Sequence, residues 1–194
     1  MSTLEVNTIK PISGGTTITF GDSGDTITKA SGVNTNAFGI KGVDSWRMTS
    51  SFTATTGSTQ VLTSNLERDD TYQNGKIGTG MSESSGIFTF PETGFYLVQF
   101  FLNWNHNAAA AYVTAAIQLT TNNSAYNSTA EANSFMAGIG ARGYTSQGCH
   151  KIFDITDTTN QKVRFVYDAS DACSISGSTN GNTTYMTFIR LGDT

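Results

Sequence analysis

The stretch from Gly86 to Trp104 limits what this chain can fold into more than any other part of it. It reads Gly-Ile-Phe-Thr-Phe-Pro-Glu-Thr-Gly-Phe-Tyr-Leu-Val-Gln-Phe-Phe-Leu-Asn-Trp. Phe88 and Phe90 alternate with Thr89, Pro91-Glu92-Thr93-Gly94 has the composition of a tight turn, and Phe95 to Trp104 is a nearly all-apolar run. A strand of that kind needs cover on both faces. In a two-sheet sandwich one face meets the opposite sheet, and the other requires a further partner, which an oligomer supplies.

The rest of the chain agrees with an all-β reading. Charged residues make up only 13%, against an ordinary share of roughly 25%, and Thr, Ser, Asn and Gly take their place. Thr is β-branched, while Ser and Asn compete with a helical backbone for hydrogen bonds, so this composition favours strands and tight turns. Trp46, Met48 and Phe52 predict an opening strand, and Gln60 to Leu66 a second. Tyr112 to Thr120 alternates around Val113, Ala115 and Ile117; Ala108 to Ala111 before it fits a helical turn or a strand, and the sandwich context favours strand. Asn133 to Gly140, Ser146 to Asp154, Gln161 to Tyr167 and Thr183 to Leu191 supply further strands, with Asp157-Thr158-Thr159-Asn160 as a turn. Short strands at this spacing predict a sandwich or jelly-roll.

The N-terminal text has a different texture. Thr-Ile recurs at Thr8-Ile9, Thr17-Ile18 and Thr26-Ile27, and Gly15-Thr16-Thr17-Ile18-Thr19 is echoed by Gly24-Asp25-Thr26-Ile27-Thr28. Short strands between glycine turns are implied, each too small to bury its own apolar residues, a deficit that three chains wound together would remedy. Ala30 to Val43 is rich in Gly and Asn and reads as a joint. The expected division is an arm and joint over residues 1–43 and a head over residues 44–194, which suits a chain of 194 residues.

Charge and motifs narrow the function. A net charge of −4 offers no field for phosphate backbones, so nucleic acid is not an expected partner. No run approaches the roughly 18 apolar residues of a membrane span, and no leader pattern opens the sequence. Asn122, Asn127 and Asn182 stand in acceptor-type triplets that follow from the composition. Cys149 and Cys173 match no zinc or redox spacing; they read as two buried thiols, with a disulfide between neighbouring strands as the alternative. His106 and His150 lack metal-ligand spacing, and no nucleophile or phosphate-loop motif is present. Asp22 with Asp25, Glu67 with Asp69 and Asp70, and Asp168 with Asp171 read as turn residues, calcium being the alternative, since none has a full ligand spacing. No catalytic residue, cofactor or metal is expected. Trp104 is expected in packing, whereas Tyr126 and Tyr144 are expected to be exposed and are the candidates for surface recognition.

The order Phe88-Thr-Phe90-Pro-Glu-Thr-Gly94-Phe-Tyr96-Leu-Val98 resembles the signature of the globular heads of the first complement component and of tumour necrosis factor, in which a strand, a glycine turn and a Gly-x-Tyr strand follow one another. The resemblance continues at Lys162-Val163-Arg164-Phe165 and at Tyr185-Met186-Thr187-Phe188-Ile189, and spans approximately residues 44–194. It implies a ten-stranded jelly-roll that packs as a compact homotrimer around apolar and aromatic residues, with chain ends together at the base. On that pattern Phe88, Phe90, Tyr96, Val98, Phe100, Tyr185 and Phe188 form the core and trimer interface. Asn160-Gln161 stands where the family has Gly-Asp before its penultimate strand, which bears on where that strand begins.

The opening residues, from Ser2 to Pro11 and from Gly15 to Thr28, resemble the starts of phage structural and tail-fibre proteins, particularly of marine and cyanobacterial phages. Arm and head together imply a non-enzymatic, trimeric phage appendage on the virion surface, made in the host cytoplasm. The arm would hold other virion proteins and the head would meet a host-surface glycan or protein. The alternative is a capsid decoration, cement or head-fibre protein bound to the major capsid protein. A glycan depolymerase would need a carboxylate pair across a groove, and no such pair is visible in the sequence.

Overall fold

The computed structural model describes residues 40–71, 74–106, 109–137 and 143–194. The nine-residue repeats and most of the joint lie outside the described residues. Thirteen strands and no helix are found among those described: β1 (Gly42–Met48), β2 (Ser50–Thr53), β3 (Gln60–Val61), β4 (Leu66–Arg68), β5 (Ser82–Ser84), β6 (Ile87–Thr89), β7 (Gly94–His106), β8 (Ala110–Thr120), β9 (Tyr126–Met136), β10 (Gly143–Ile155), β11 (Lys162–Ala169), β12 (Ser174–Ser178) and β13 (Tyr185–Gly192).

Two antiparallel sheets stack as a sandwich. A seven-stranded sheet runs β2-β12-β7-β13-β1-β4, with β10 also paired to β7, and a six-stranded sheet runs β5-β6-β11-β8-β9, with β3 also paired to β11. From β7 the chain crosses to the second sheet for β8 and β9, returns for β10, crosses again for β11 and comes back for β12 and β13. That back-and-forth is a jelly-roll, as the strand spacing predicts, with thirteen strands where the resemblance implies ten, because short segments such as β3, β4 and β5 each pair separately.

Two glycines of the motif segment are required by the backbone. Ser85 and Gly86 make the two-residue turn between β5 and β6 with φ of 52° and 81°. Positive φ at both positions marks a type I′ hairpin, and a Cβ on Gly86 would collide with the Leu62 carbonyl. Gly94, at φ 143°, opens β7 with the Gly192 carbonyl so close that no side chain fits.

The core lies between the sheets. Phe88, Phe100, Phe165 and Phe188 are buried and interlock, with ring centroids 5.0–5.9 Å apart for the pairs that touch. Trp46 meets Phe88 edge-on at 5.3 Å, and Phe90 meets Tyr96 at 4.7 Å. Each such contact adds about 0.5–1.5 kcal/mol beyond the area it buries. Trp104 is buried at the upper end, and its indole N–H is satisfied by the side-chain oxygen of Gln147 at 2.8 Å.

Two charges are buried at the β1–β4 side and both are fully paired. The Asp44 carboxylate accepts from Trp46 Nε1 at 2.9 Å, Arg68 Nε at 2.8 Å and the Met81 N–H at 2.7 Å. Arg47 donates to Glu67 at 2.7 Å, Asp69 at 2.9 Å and Thr71 at 2.6 Å. Unpaired, either charge would cost several kcal/mol. At the base, Lys41 pairs with Asp193 at 2.7 Å, and Arg190 donates to Asp193 and to the Thr93 carbonyl. The entry to β1 and the exit from β13 are thereby clasped together.

Several boundaries differ from expectation. Residues 60–66 are not one strand: β3 joins one sheet, β4 the other, and the chain crosses between them with Asn65 at φ 59°. Strand β9 begins at Tyr126 rather than Asn133; its residues are small, polar and mostly exposed on an edge, so alternation is faint. Gly42 and Val43 belong to β1, not to the joint. The turn before β11 needs no Gly-Asp, because the Gln161 side chain accepts the N–H groups of Thr156 and Asp157 at 2.7 and 2.8 Å, and β11 still starts at Lys162.

Strand β7 has one face turned to the opposite sheet and one turned away from it, as the apolar run predicts. It alternates, with Tyr96, Val98, Phe100, Leu102 and Trp104 inward and Phe95, Leu97, Gln99, Phe101 and Asn103 outward. Among the described residues only the inward row is covered by a second sheet.

Candidate functional site

Register builds the uncovered side of the seven-stranded sheet into a continuous surface. β10 and β13 flank β7, and residues directly opposite one another share a face. Tyr185, Phe101 and Gly148 form one row; Thr187, Gln99 and His150 the next; Ile189, Leu97 and Ile152 the third. Ile152 is 57% exposed, Phe95 39% and Phe101 36%. Phe101 and Tyr185 stack, centroids 5.3 Å apart and planes 21° apart. Gly148 has no side chain to fill the space beside them: a Cβ there would sit 3.1 Å from the Phe101 ring. The result is a hollow of about 180 Å³ bounded by Gln99, Phe101, His150 and Tyr185.

Polar groups edge this apolar centre. On the β1–β4 side lies Arg47 with its carboxylates, which pairs opposite Tyr185. Asp154 ends the row on β10 and Tyr144 begins it, 62% exposed. Two apolar rows on either side of the polar row Thr187–Gln99–His150, with charged groups at the border and an extent larger than scattered single residues, have the form of a protein–protein contact.

Of the residues singled out from sequence, Phe88, Phe90, Tyr96, Val98, Phe100 and Phe188 are all buried in the core of the single chain, whereas Tyr185 lies on the uncovered face. Tyr144 is on that same face. Tyr126 is on the opposite sheet, half-buried, with the Arg164 guanidinium 4.1 Å over its ring and its hydroxyl enclosed without a partner. The two tyrosines are therefore not brought together, and the expected exposure of Tyr126 is corrected to half-burial beneath Arg164. Leu97, Gly148, Ile152 and Ile189 were not singled out and belong to the surface.

The remaining candidates disperse. His106 sits 3.9 Å from Asp171 at the far end of β7, and His150 is on the uncovered face. Glu67, Asp69 and Asp70 all bond Arg47, Asp168 accepts from Thr59, and Asp22 and Asp25 lie outside the described residues. No group of three or more His, Cys, Asp or Glu able to hold a metal occurs among the described residues. Cys149 and Cys173 are both buried and free, so the disulfide alternative is set aside. Burial, with Glu131 adding to it against a backbone hydrogen bond, pushes the Cys149 thiol up to about 11, and burial beside Asp171 raises Cys173.

The fold is a jelly-roll of the tumour necrosis factor type. It is similar to the crystal structure of murine APRIL at pH 5.0, with a TM-score of 0.57 and 13% identity over 77% of this chain and 98% of that one. The crystal structure of murine APRIL at pH 8.0 gives a TM-score of 0.54 and 12% identity over the same shares. At such identities the likeness is one of fold. No protein-family model and no curated protein matches the sequence.

Proposed function

We propose that this protein is a non-enzymatic structural component of a phage particle, a homotrimer joined through the outer face of the seven-stranded sheet and displayed as a surface appendage. The observation that carries the reading is the apolar face built by Phe95, Leu97, Phe101, Ile152, Tyr185 and Ile189, which no other sheet among the described residues covers. Left in water, a patch of this kind makes a chain associate without specificity; a closed symmetric assembly buries it and ends the association. The tumour necrosis factor type of fold supports three as the number of copies, since proteins of that type trimerise.

The particle itself is suggested by the N-terminal text, which resembles the starts of phage structural proteins. In this reading the arm binds other virion proteins, while the head, with Tyr144 near its surface, meets the host. Labelling purified particles with antibody to the head tests it, combined with counting copies by mass spectrometry. Tens of copies at the tail support an adhesive fibre, and hundreds over the shell support a decoration protein. Absence from the particle overturns both.

A further inference from the structure

We infer that assembly through this face is acid-sensitive and that His150 is the residue that makes it so, an inference that rests on the assembly reading above. His150 is exposed in the middle row of the face, opposite Gln99 and two strands across from Thr187, with Gly148 and Ile152 on either side along β10. Its neighbouring rows are Tyr185–Phe101 and Ile189–Leu97. It stands in an uncharged polar row with Gln99 and Thr187, between two rows of apolar and aromatic side chains.

Among the described residues, the charged groups that share its face are few and distant. On β7 and β13 the residues sharing its face are Phe95, Leu97, Gln99, Phe101, Asn103, Tyr185, Thr187 and Ile189, none charged at neutral pH. On β10 the nearest is Asp154, four residues along and about 13 Å away at strand spacing. Arg47 stands three strands across, about 14 Å away, and is neutralised by Glu67, Asp69 and Asp70. From β9, Glu131 lies near Cys149, and Lys151 reaches the Thr129 carbonyl, both on the other side of β10. The hollow at Gly148 has no carboxylate in its lining.

Histidine is the side chain whose charge ordinarily changes between pH 5 and 8. On a free chain a protonated His150 is hydrated. Once a second copy covers the face, the water is removed and the face supplies no counter-charge, so the charged form is disfavoured by desolvation. The free chain therefore binds the proton better than the assembled one, and by linkage assembly weakens as pH falls. Each copy contributes one such group, so the effect multiplies.

Sedimentation of the full chain at about pH 7.5 and pH 5.5 tests this, using wild type, His150→Gln and His150→Lys. The expected result is a trimer at the higher pH whose dissociation constant weakens more than tenfold at the lower one. His150→Gln should remain assembled at both, and His150→Lys should be largely dissociated already at pH 7.5. A wild-type trimer unchanged in acid overturns the inference while leaving the assembly reading intact, whereas a wild-type monomer at pH 7.5 overturns the assembly reading itself. The inference also fails if His150→Gln dissociates in acid as wild type does or does not assemble at pH 7.5, or if His150→Lys assembles normally.

Discussion

The Phe101 ring lies against Tyr185 from the adjacent strand, centroids 5.3 Å apart and nearly parallel, and the pair faces outward from the sheet. Offset-stacked aromatics of this kind form a rigid platform with little rotamer entropy left to lose on binding. Among the described residues no second layer packs on this platform, and the proposed assembly would cover it.

Phe101→Glu should therefore dissociate the protein without unfolding it. Light scattering at micromolar concentration should give about three times the 20.7 kDa chain mass for wild type and about one chain mass for the variant. Far-ultraviolet circular dichroism should be unchanged, because the substituted side chain points away from the core. A wild-type mass of one chain would refute the trimer.

Tyr96 tests the inward row. It is 3% exposed, and its hydroxyl donates to the Glu92 carbonyl at 2.9 Å. Tyr96→Phe keeps the ring and loses that bond, an expected loss of about 1 kcal/mol. Tyr96→Asp removes the ring from the aromatic core and buries a carboxylate there, a loss that Arg190 on the facing strand offsets only in part, and should cost several kcal/mol per chain. Chemical denaturation separates the two; equal midpoints for Tyr96→Asp and wild type would mean the strand register is wrong.

Alkaline pH should weaken the fold in a definite window. Burial holds the Cys149 thiol up at about 11 against an ordinary 9.0, and the Tyr96 phenol up at about 12 against 10.0, the latter despite Arg190. The unfolded chain releases these protons first, so the folded state binds more of them and stability falls as pH rises. The contribution is complete below about pH 9, Cys149's is spent by about 11 and Tyr96's by about 12, each worth roughly 2–3 kcal/mol. Denaturant midpoints at pH 8 and 10.5 measure it. Cys149→Ala should flatten the slope, and an unsloped wild type would contradict the burial of both groups.

The jelly-roll was legible because its signals are local: the Gly94 turn, the alternation in β8 and β11, and the spacing of the strands. The assembly face was only half legible. The run from Phe95 to Leu102 is apolar in both of its alternating rows, so periodicity cannot say which row is inside, and Phe100 and Phe101 look equivalent until pairing places them. On β10 the pattern misleads, since Gln147 points inward to bond Trp104 and the Val113 carbonyl while Ile152 points out. Gly148 gains meaning only from the ring beside it on β7. Ser-rich β5 and β12 carry no apolar pattern and are strands because their neighbours supply the hydrogen bonds.

The structure changes how the attachment arm should be tested. Residues 1–43 read as arm and joint, yet Gly42 and Val43 pair with Arg190 and Ile189, and Lys41 holds Asp193. A cut after residue 43 would strip two residues from β1 and break the clasp at the base, so a loss of particle binding would be confounded with a damaged head. Deleting residues 1–39 instead keeps every described contact. The shortened chain should remain a trimer, with a melting temperature within a few degrees of the full chain, since no interaction of the two sheets is lost. Added to particles that lack the native protein, the full chain should bind and the shortened one should not. If the shortened chain binds equally well, attachment belongs to the jelly-roll surface and the N-terminal repeats serve another purpose; if it no longer trimerises, the sheet face alone is too weak and the repeats help hold the three chains together.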